Sequence, residues 1–205
     1  MIEDLKIEEF LDELSSTTPA PSGGTVVGLL AGIATALSVF VCNLTVNKER
    51  YLESKPKITS IIKKLNKFQI AFIELANRDE YVLFKLSKIW ALPKSSEEEK
   101  KDRQVLLDEF NALALQVPYQ IILHCEELYG DLEFLAVYGN DNLKSDVLIA
   151  AYLFKAVVYS STVNVRVNFS ALKSTSEREA YAKQITKQKK RVDEFVSNIQ
   201  ILTKF

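Results

Sequence analysis

Apolar residues in this chain recur at the spacing of α-helices and rarely alternate as they do in strands. The clearest series begins at Ile61 and ends at Ile89, and its members are separated by four and three residues in turn. This is the period of one face of a helix. No segment alternates apolar and polar residues convincingly. The pattern therefore predicts an all-α fold, a bundle of long helices in up-and-down order.

Proline and capping residues mark the ends of the predicted helices. Pro56 suits the first turn of a helix, and the run Ser-Ser-Glu-Glu-Glu at 95–99 is typical of an N-cap followed by an acidic first turn. Pro118 is expected to kink the helix in which it lies. The predicted helices span about residues 3–16, 24–50, 56–92, 95–129, 132–138, 145–172 and 176–205. We expect them to form a single domain over residues 1–205.

A long uncharged run separates Glu13 from Lys48, and it fits a membrane span, a buried helix or the floor of a binding site. It is long enough to cross a bilayer. Polar and small residues dilute it, however, and Lys155 interrupts the second apolar stretch, 147–165. Small residues share one face of this run at helical spacing, which lets another helix approach closely; they are Gly28, Gly32 and Ala36. We therefore predict a buried central helix and no membrane partner.

Composition and charge argue against several classes of function. The formal net charge is −1, so we expect no overall attraction to nucleic acid. The two cysteines lie far apart in apolar surroundings, and the N-terminus lacks the basic segment of a secretory signal. Both features favour a reduced, cytoplasmic protein. His124 has no histidine or acid at ligand spacing and is expected to be structural, so we predict neither a metal site nor a Ser-His-Asp triad.

Asp79 breaks the apolar series. It stands between Leu75 and Val82, where the four-and-three spacing reserves a position for an apolar side chain. Burying an unpaired carboxylate is costly, so such a group needs a partner or a raised pKa. Two interpretations follow from the residues: a core salt bridge or helix cap, or a general acid and base in a cavity.

Amide side chains interrupt the apolar helices elsewhere. Ser161, Asn164 and Asn168 share one face of a predicted helix. These groups must find hydrogen bonds, either between helices or with a polar heterocycle. Asn43 and Asn47 stand four residues apart near the end of the uncharged run, where a helix emerging into solvent is the simpler interpretation.

Two further polar segments flank predicted helices. Ser22, Gly23 and Gly24 precede the uncharged helix, where free backbone N–H groups can bind an anion. The Lys-Ser/Thr pair of a P-loop is missing from this turn. Ser145 and Asp146 are most simply interpreted as caps of the helix that follows them.

The motifs form an ordered set between Phe10 and about Lys173. They are Pro-Ala-Pro-Ser-Gly-Gly-Thr at 19–25, Asn-Leu-Thr-Val-Asn-Lys at 43–48, Asp79 ahead of Leu-Pro-Lys at 92–94, Ser-Ser-Glu-Glu-Glu-Lys at 95–100, Gln-Val-Pro-Tyr-Gln at 116–120, Gly-Asn-Asp-Asn-Leu-Lys-Ser-Asp at 139–146 and Asn-Val-Arg-Val-Asn at 164–168. In this order and at these distances, the set resembles the cyclodeaminase domain of the formiminotransferase-cyclodeaminase family.

The resemblance implies an all-α bundle that forms a homodimer and takes a tetrahydrofolate derivative as substrate, without a tightly bound cofactor. In the family's cyclodeaminase reaction, N10 of 5-formiminotetrahydrofolate attacks the formimino carbon, ammonia leaves and the 5,10-methenyl bridge closes. The enzyme takes a proton from N10 and gives one to the departing nitrogen, and Asp79 matches the acidic catalytic position. Some members of the family are described as methenyltetrahydrofolate cyclohydrolases, so hydrolysis of the methenyl bridge is the alternative reaction.

The resemblance also implies substrate-binding roles for residues of several motifs. Asn164 and Asn168 are expected to bind the pterin or brace Asp79, and Asn43 and Asp146 to line the same cavity. Lys48 and Lys94 are expected to meet the carboxylates of the glutamate tail, and the glycine turn to offer backbone donors for the same purpose. The residues expected to bind substrate are Ser22, Gly23, Gly24, Asn43, Lys48, Lys94, Asp146, Asn164 and Asn168.

The chain departs from the family pattern at several of these positions. Ser22 replaces the first of three glycines, Asn47 replaces a glycine, and Asn77 stands where many members have a second acid. These differences leave the fold prediction unchanged. They add a third interpretation of function, a non-catalytic folate-binding or helical interaction module.

Overall fold

Six α-helices follow one another through the residues that the structure describes, 1–172 and 174–204, and no strand occurs among them. In this computed structural model the helices are α1 (Ile7–Leu14), α2 (Gly23–Val46), α3 (Lys55–Trp90), α4 (Glu97–Tyr138), α5 (Lys144–Val167) and α6 (Thr175–Thr203). Short 3-10 segments lie at Ile2–Asp4, Glu49–Ser54, Asp141–Leu143 and Asn168–Ala171. The prediction of an all-α fold built from long helices is confirmed.

The N-terminal segment packs Ile2 and Phe10 against Ala76 of α3, and an amide side chain of α3 binds it as well. Asn77 accepts a hydrogen bond from the N–H of Ile2 at 2.9 Å and donates one to the carboxylate of Glu3 at 2.7 Å. The predicted first helix over 3–16 is therefore divided into a 3-10 turn and a shorter α1 that begins at Ile7.

α4 is a single helix, and the prediction of a separate short helix over 132–138 is wrong. It begins with the expected cap, because Ser96 Oγ accepts from the N–H of Glu99 at 3.1 Å. It then continues through Gly130, a residue that costs a helix interior only about 1 kcal/mol relative to alanine. Burial of Leu128 and Leu132 on either side offsets a cost of that size.

Pro118 also lies inside α4 without ending it. Proline has no N–H, so the carbonyl of Ala114, four residues earlier, loses its helical donor. The side chain of Asn168 replaces that donor, since its Nδ2 donates to the Ala114 carbonyl at 2.8 Å and to the Asn164 carbonyl at 3.0 Å. The amide thus joins the end of α5 to the middle of α4.

α2 lies at the centre of the bundle, packed against α3 and α5. A Cβ added at Gly28 would come within 2.8 Å of the Ala76 Cβ, and one added at Gly32 within 3.1 Å of Ile73 Cδ1. The predicted close approach of a second helix is therefore present, and that helix is α3. By length and composition alone, α2 and the segment Asp141–Val167 are able to cross a membrane, and about half of each apolar window is buried within this fold.

The C-terminal end of α2 meets the start of α5 through Asn140, which is buried. Its Nδ2 donates to the Leu44 carbonyl at 3.1 Å, its N–H donates to Thr45 Oγ1 at 3.1 Å, and its Oδ1 accepts from the N–H of Asn142 at 3.2 Å. We call these contacts the Asn140 joint.

The start of α5 differs from the predicted one. The helix begins at Lys144, and its N-cap residue, Leu143, makes no side-chain capping bond. Ser145 and Asp146 lie within the first turn, so the interpretation of these residues as caps is wrong. The capping side chain of this segment is that of Asn140, one 3-10 turn earlier.

Candidate active site

A cavity of about 550 Å³ opens where four helices meet. The start of α2, the second half of α3, the first half of α4 and the C-terminal end of α5 form its walls. Its lining residues are Ser22, Gly23, Gly24, Asp79, Val82, Leu83, Leu86, Trp90, Arg103, Leu107, Asn111, Ala114, Asn164, Val167 and Asn168. The fold thus brings together the glycine turn, Asp79 and two of the predicted amides, which lie far apart in the sequence.

Asp79 is held by the first turn of α2. Its Oδ2 accepts hydrogen bonds from Thr25 Oγ1 at 3.2 Å and from Ser22 Oγ at 3.3 Å. Thr25 Oγ1 in turn accepts from the N–H of Ser22 at 3.2 Å, which leaves its hydroxyl hydrogen for the carboxylate. The side chain is partly buried and makes no ion pair with the residues that the structure describes. The core salt bridge considered for Asp79 is therefore not formed among them.

Burial raises the pKa of the Asp79 carboxyl above its ordinary value. The hydrogen bonds from Thr25 and Ser22 and the backbone N–H of Thr25 act in the opposite direction and lower this pKa, but burial has the larger effect. A carboxyl group with a raised pKa is suited to accept and return protons closer to neutral pH.

Gly24 is required by the position of this carboxylate. A Cβ at Gly24 would overlap the carboxylate atoms of Asp79, whereas a Cβ at Gly23 would meet no atom within 4 Å. The carboxylate therefore lies directly against the backbone of the first turn of α2. The predicted backbone donors of the turn are near Asp79 itself, and the N–H of Thr25 is already among the groups that stabilise its charge.

Three amide side chains reach the same cavity from α4, from α5 and from the 3-10 segment that follows α5: Asn111, Asn164 and Asn168. Asn168 uses its Nδ2 to bind the carbonyls of Ala114 and Asn164. The side chains of Asn111 and Asn164 make no hydrogen bond with the described part of the chain. Their donors and acceptors are consequently free to bind a polar ligand.

The cavity continues as a groove along α3 and α4. On α3 the residues that line the groove lie between Asp79 and Trp90, and on the facing side of α4 they lie between Arg103 and Ala114. Asp79 and Trp90 lie 11 residues apart, about 16 Å along a helix axis. Arg103 Nε donates to the Ile89 carbonyl at 3.2 Å, so the guanidinium lies at the Trp90 end.

The sequence prediction did not include Trp90, Arg103 or Asn111 among the site residues. A usable signal was present, because the apolar seam of α3 continues past Asp79 and α4 follows it after a short connection. Two helices joined in this way pack as antiparallel neighbours. Arg103 and Asn111 stand eight residues apart on α4, which places them on one side of the helix.

Three predicted binding residues lie far from this cavity. Asn43 and Lys48 are exposed at and beyond the C-terminal end of α2, and Asn43 is about 29 Å along the helix axis from Gly24. Asp146 is in the first turn of α5, about 27 Å along its axis from Asn164. The expectation that Asn43 and Asp146 line this cavity within one chain is therefore wrong.

Lys94 is exposed in the connection between α3 and α4 and is not among the residues that line the cavity. Ser161 is buried away from the cavity, although it shares a helix face with Asn164. The ring of His124 packs edge-on against Phe68 and Phe72, which agrees with a structural role. The expectation of no acid at ligand spacing is wrong, because Glu127 Oε1 lies 3.5 Å from His124 Nδ1 one helical turn away. Within residues 1–172 and 174–204, no group of three or more histidine, cysteine, aspartate or glutamate side chains is arranged to hold a metal ion.

Comparison with known proteins finds relatives whose names describe reactions of folates. It is 30% identical over 179 residues to a methenyltetrahydrofolate cyclohydrolase of Methylorubrum extorquens, covering 87% of this chain and 86% of that protein. It is 23% identical to the formimidoyltransferase-cyclodeaminase of Gallus gallus, covering 87% of this chain and 33% of that protein. The chain therefore spans about a third of the length of that relative.

The fold has a solved counterpart. The crystal structure of a formiminotetrahydrofolate cyclodeaminase from Thermotoga maritima matches with a TM-score of 0.87 and 28% sequence identity, over 100% of this chain and 98% of that chain. Residues 6–189 match the family model described as Formiminotransferase-cyclodeaminase. The match extends over most of the chain and includes every residue that lines the cavity, so the chain belongs to the formiminotransferase-cyclodeaminase family.

Proposed function

We propose that the protein cyclises 5-formiminotetrahydrofolate to 5,10-methenyltetrahydrofolate with release of ammonia, and that Asp79 moves the protons. The observation that carries this proposal is the placement of Asp79. A carboxyl group with a raised pKa faces a cavity, and the amides of Asn111 and Asn164 lie in its walls without partners in the described chain. This combination supplies an acid and base beside groups that can bind a heterocycle.

The reaction requires two proton movements at one carbon. The formimino group reacts in its protonated form, C=NH2⁺. Attack of N10 on its carbon forms the N10–C bond, the C=N π pair moves to the nitrogen, which becomes –NH2, and the N10 proton passes to the carboxylate of Asp79. The protonated carboxyl then returns this proton to the formimino nitrogen, the C–N bond breaks, and ammonia leaves with the bonding electron pair. The methenyl bridge remains as a delocalised cation. Ser22 and Thr25 hold the carboxyl in place through both steps.

A second reaction is favoured by the relative from Methylorubrum extorquens, whose name is that of a methenyltetrahydrofolate cyclohydrolase. In that reaction a water molecule attacks the methenyl carbon and a carboxylate accepts one of its protons. The carboxyl returns this proton to the leaving nitrogen as one C–N bond of the bridge opens, and the new hydroxyl group loses its proton to solvent as it becomes the formyl oxygen. Asp79 has the position and the raised pKa for this role as well. The two reactions use the same carbon atom of the folate.

An absorbance assay distinguishes these reactions. The purified protein is mixed separately with 5-formiminotetrahydrofolate and with 5,10-methenyltetrahydrofolate, and the methenyl chromophore is followed. Appearance of the chromophore from the first compound supports the cyclodeaminase, and its enzyme-dependent loss from the second supports the cyclohydrolase. Inactivity towards both compounds at high protein concentration supports a non-catalytic binding module.

We also propose that the protein forms a homodimer through α2 and α5. Large apolar side chains on these adjacent helices remain 44–59% exposed in the single chain, an arrangement that marks interaction surfaces. They are Ile33, Phe40, Leu44, Ile149, Tyr152 and Val163. Sedimentation velocity at micromolar concentration tests this proposal, and a strictly monomeric species contradicts it.

A further inference from the structure

The two ends of the groove between α3 and α4 differ in chemistry. The end at Asp79 carries the carboxyl and the amides, and the middle carries the apolar side chains of α3 and α4. The far end carries an indole and a guanidinium, those of Trp90 and Arg103. A ligand that fills the groove would therefore be polar at one end, apolar in the middle and anionic at the other end.

Arg103 is the one cationic side chain among the described residues that line this groove. It forms no ion pair with an acid in residues 1–172 and 174–204. Its Nε is fixed by the Ile89 carbonyl at the end of α3, which orients the guanidinium plane. The terminal nitrogens then remain to bind a planar anion such as a carboxylate, the partner whose geometry matches a guanidinium.

Trp90 provides a surface for an aromatic ring beside this charge. Its side chain is 52% exposed and lines the groove at the last turn of α3. An exposed indole next to a cavity offers a flat apolar face on which an aryl group can stack. Between Trp90 and Asp79 the α3 wall consists of the apolar residues Val82, Leu83 and Leu86.

We infer that Arg103 and Trp90 form the subsite for an aryl-amide carboxylate, the p-aminobenzoylglutamate part of a folate. This inference rests on the proposed function for the identity of the ligand. The glutamate carboxylate pairs with Arg103, the aminobenzoyl ring stacks on Trp90, and the heterocycle reaches Asp79 and the amides. Arg103 takes the role that the sequence assigns to Lys48 and Lys94, because those lysines do not line the groove.

Ligand fragments test this subsite without turnover. The probes are p-aminobenzoyl-L-glutamate and p-aminobenzamide, which has the aryl group but no carboxylate. Trp90 is the single tryptophan of the chain, so a saturable change in its fluorescence reports binding at this end of the groove. Calorimetry provides a second measurement of the same affinities.

The informative variant is Arg103→Gln, with Arg103→Lys as the conservative change. Lys101→Gln is the matched control, since Lys101 is exposed two residues away on α4 and its removal changes the net charge equally. We expect Arg103→Gln to weaken p-aminobenzoyl-L-glutamate about tenfold or more, the loss typical of one charge-assisted contact. Arg103→Lys should restore part of the loss, and p-aminobenzamide should bind all the variants equally.

The ratio of the two affinities separates binding from a structural role. If Arg103 only ties α3 to α4, Arg103→Gln lowers the free energy of unfolding without changing this ratio, and the inference is overturned. It is overturned as well if the control weakens the glutamate probe equally, or if the wild type binds that probe no better than the amide. Carboxylate-dependent binding without turnover of either folate would leave this subsite standing and remove the proposed enzymatic function.

Discussion

The two ends of α2 both gather polar side chains, yet they use them differently. At the N-terminal end, Asp79 faces a cavity whose walls include Asn164, a side chain without a hydrogen-bond partner in the described chain. At the C-terminal end, Asn140 uses its amide to bind the Leu44 carbonyl and the N–H of Asn142. A polar side chain packed against the end of an apolar helix therefore indicates a ligand site only where hydrogen-bonding groups nearby remain available.

The largest effect is expected from Asp79→Asn at the cavity end. We expect turnover to fall about a thousandfold, within the usual range for loss of a general acid and base. Asparagine keeps the shape of the side chain but can neither take nor return a proton at this position. The measurement is turnover of whichever folate the wild type converts, together with circular dichroism to check the fold.

Asp12→Asn is a suitable control for this variant, because it removes an exposed carboxylate of α1. It should leave turnover unchanged. An Asp79→Asn protein that retains turnover within about tenfold of the wild type would show that the cavity end needs no proton carrier at this residue. The difference between the two ends of α2 would then be one of packing alone.

A second variant, Gly24→Ala, moves the carboxylate without removing it. The added Cβ overlaps the carboxylate of Asp79, so the side chain must shift. A displacement near 1 Å in a catalytic group costs about a hundredfold in rate, while stability should change by only about 1 kcal/mol. Gly23→Ala is the comparison, since its Cβ meets no atom within 4 Å. If both alanines reduce turnover equally, contact with Asp79 is not the cause.

The Asn140 joint should show the opposite behaviour. Asn140→Ala leaves the Leu44 carbonyl and the N–H of Asn142 without their partner, and we expect the free energy of unfolding to fall by about 2 kcal/mol. Turnover per folded molecule should be unchanged, because the joint is far from the cavity. Chemical denaturation and steady-state kinetics on the same preparation measure both quantities. A raised KM in Asn140→Ala would contradict this prediction, because it would show that the C-terminal end of α2 contributes to substrate binding.

The sequence predicts the long helices well, because their apolar periodicity is set by burial on one face. It also places Asp79 correctly as a polar interruption of the α3 seam. The sequence wrongly predicts a break in α4 near Gly130. The cost of this glycine within a helix is small, and it is offset by packing against other helices, which a local pattern does not show. The loss of the helical donor at Pro118 is likewise met by Asn168, a residue 50 positions away in the chain, which no local pattern reveals.

Membership of a shared motif alone predicts more site residues than the cavity contains. Asn43 and Asp146 belong to the same motifs that carry the resemblance, yet each lies at the end of its helix remote from the cavity. The length of the helices explains why these two residues are remote from the cavity. About 18 residues of helix, each rising 1.5 Å, separate them from the groove residues on α2 and α5. Arg103 and Trp90 were missed for the converse reason, because only the antiparallel packing of α3 and α4 brings them together.

The effects of substitutions at Asn168 and Pro118 on stability are expected to be coupled. Asn168→Ala removes the donor to the Ala114 carbonyl, and we expect it to destabilise the protein by about 1 kcal/mol. In a Pro118→Ala background, the new N–H at position 118 can donate to that carbonyl, so the same change should cost less. Thermal denaturation of the four proteins of this cycle gives the coupling energy. Strictly additive effects would mean that Asn168 does not replace the missing helical donor.

The smallest expected effect is the pH dependence of stability, which has opposite signs for the carboxyl groups near the two ends of α2. Burial raises the pKa of Asp79 above its ordinary 3.8. Beside the Asn140 joint the opposite occurs, because the hydrogen bond and charge of Lys144, and to a lesser extent the charge of Arg50, lower the pKa of Asp141. A raised folded-state pKa means that the folded protein binds more protons than the unfolded chain between the two values. The contribution of Asp79 to stability therefore declines as pH rises through that interval, and it is least favourable above the raised pKa.

Asp141 contributes in the opposite sense, since its stabilisation is fully present above pH 3.8 and is lost as pH falls through its lowered pKa. Unfolding free energies of the wild type, Asp79→Asn and Asp141→Asn across the acid range test both signs. Relative to the wild type, Asp79→Asn should gain stability as pH rises, and Asp141→Asn should lose it. If Asp79→Asn instead follows the Asp141→Asn profile, the carboxylate of Asp79 is stabilised by the fold as an anion. Ser22 and Thr25 would then outweigh burial, and the residue would be poorly suited to return a proton to a leaving nitrogen.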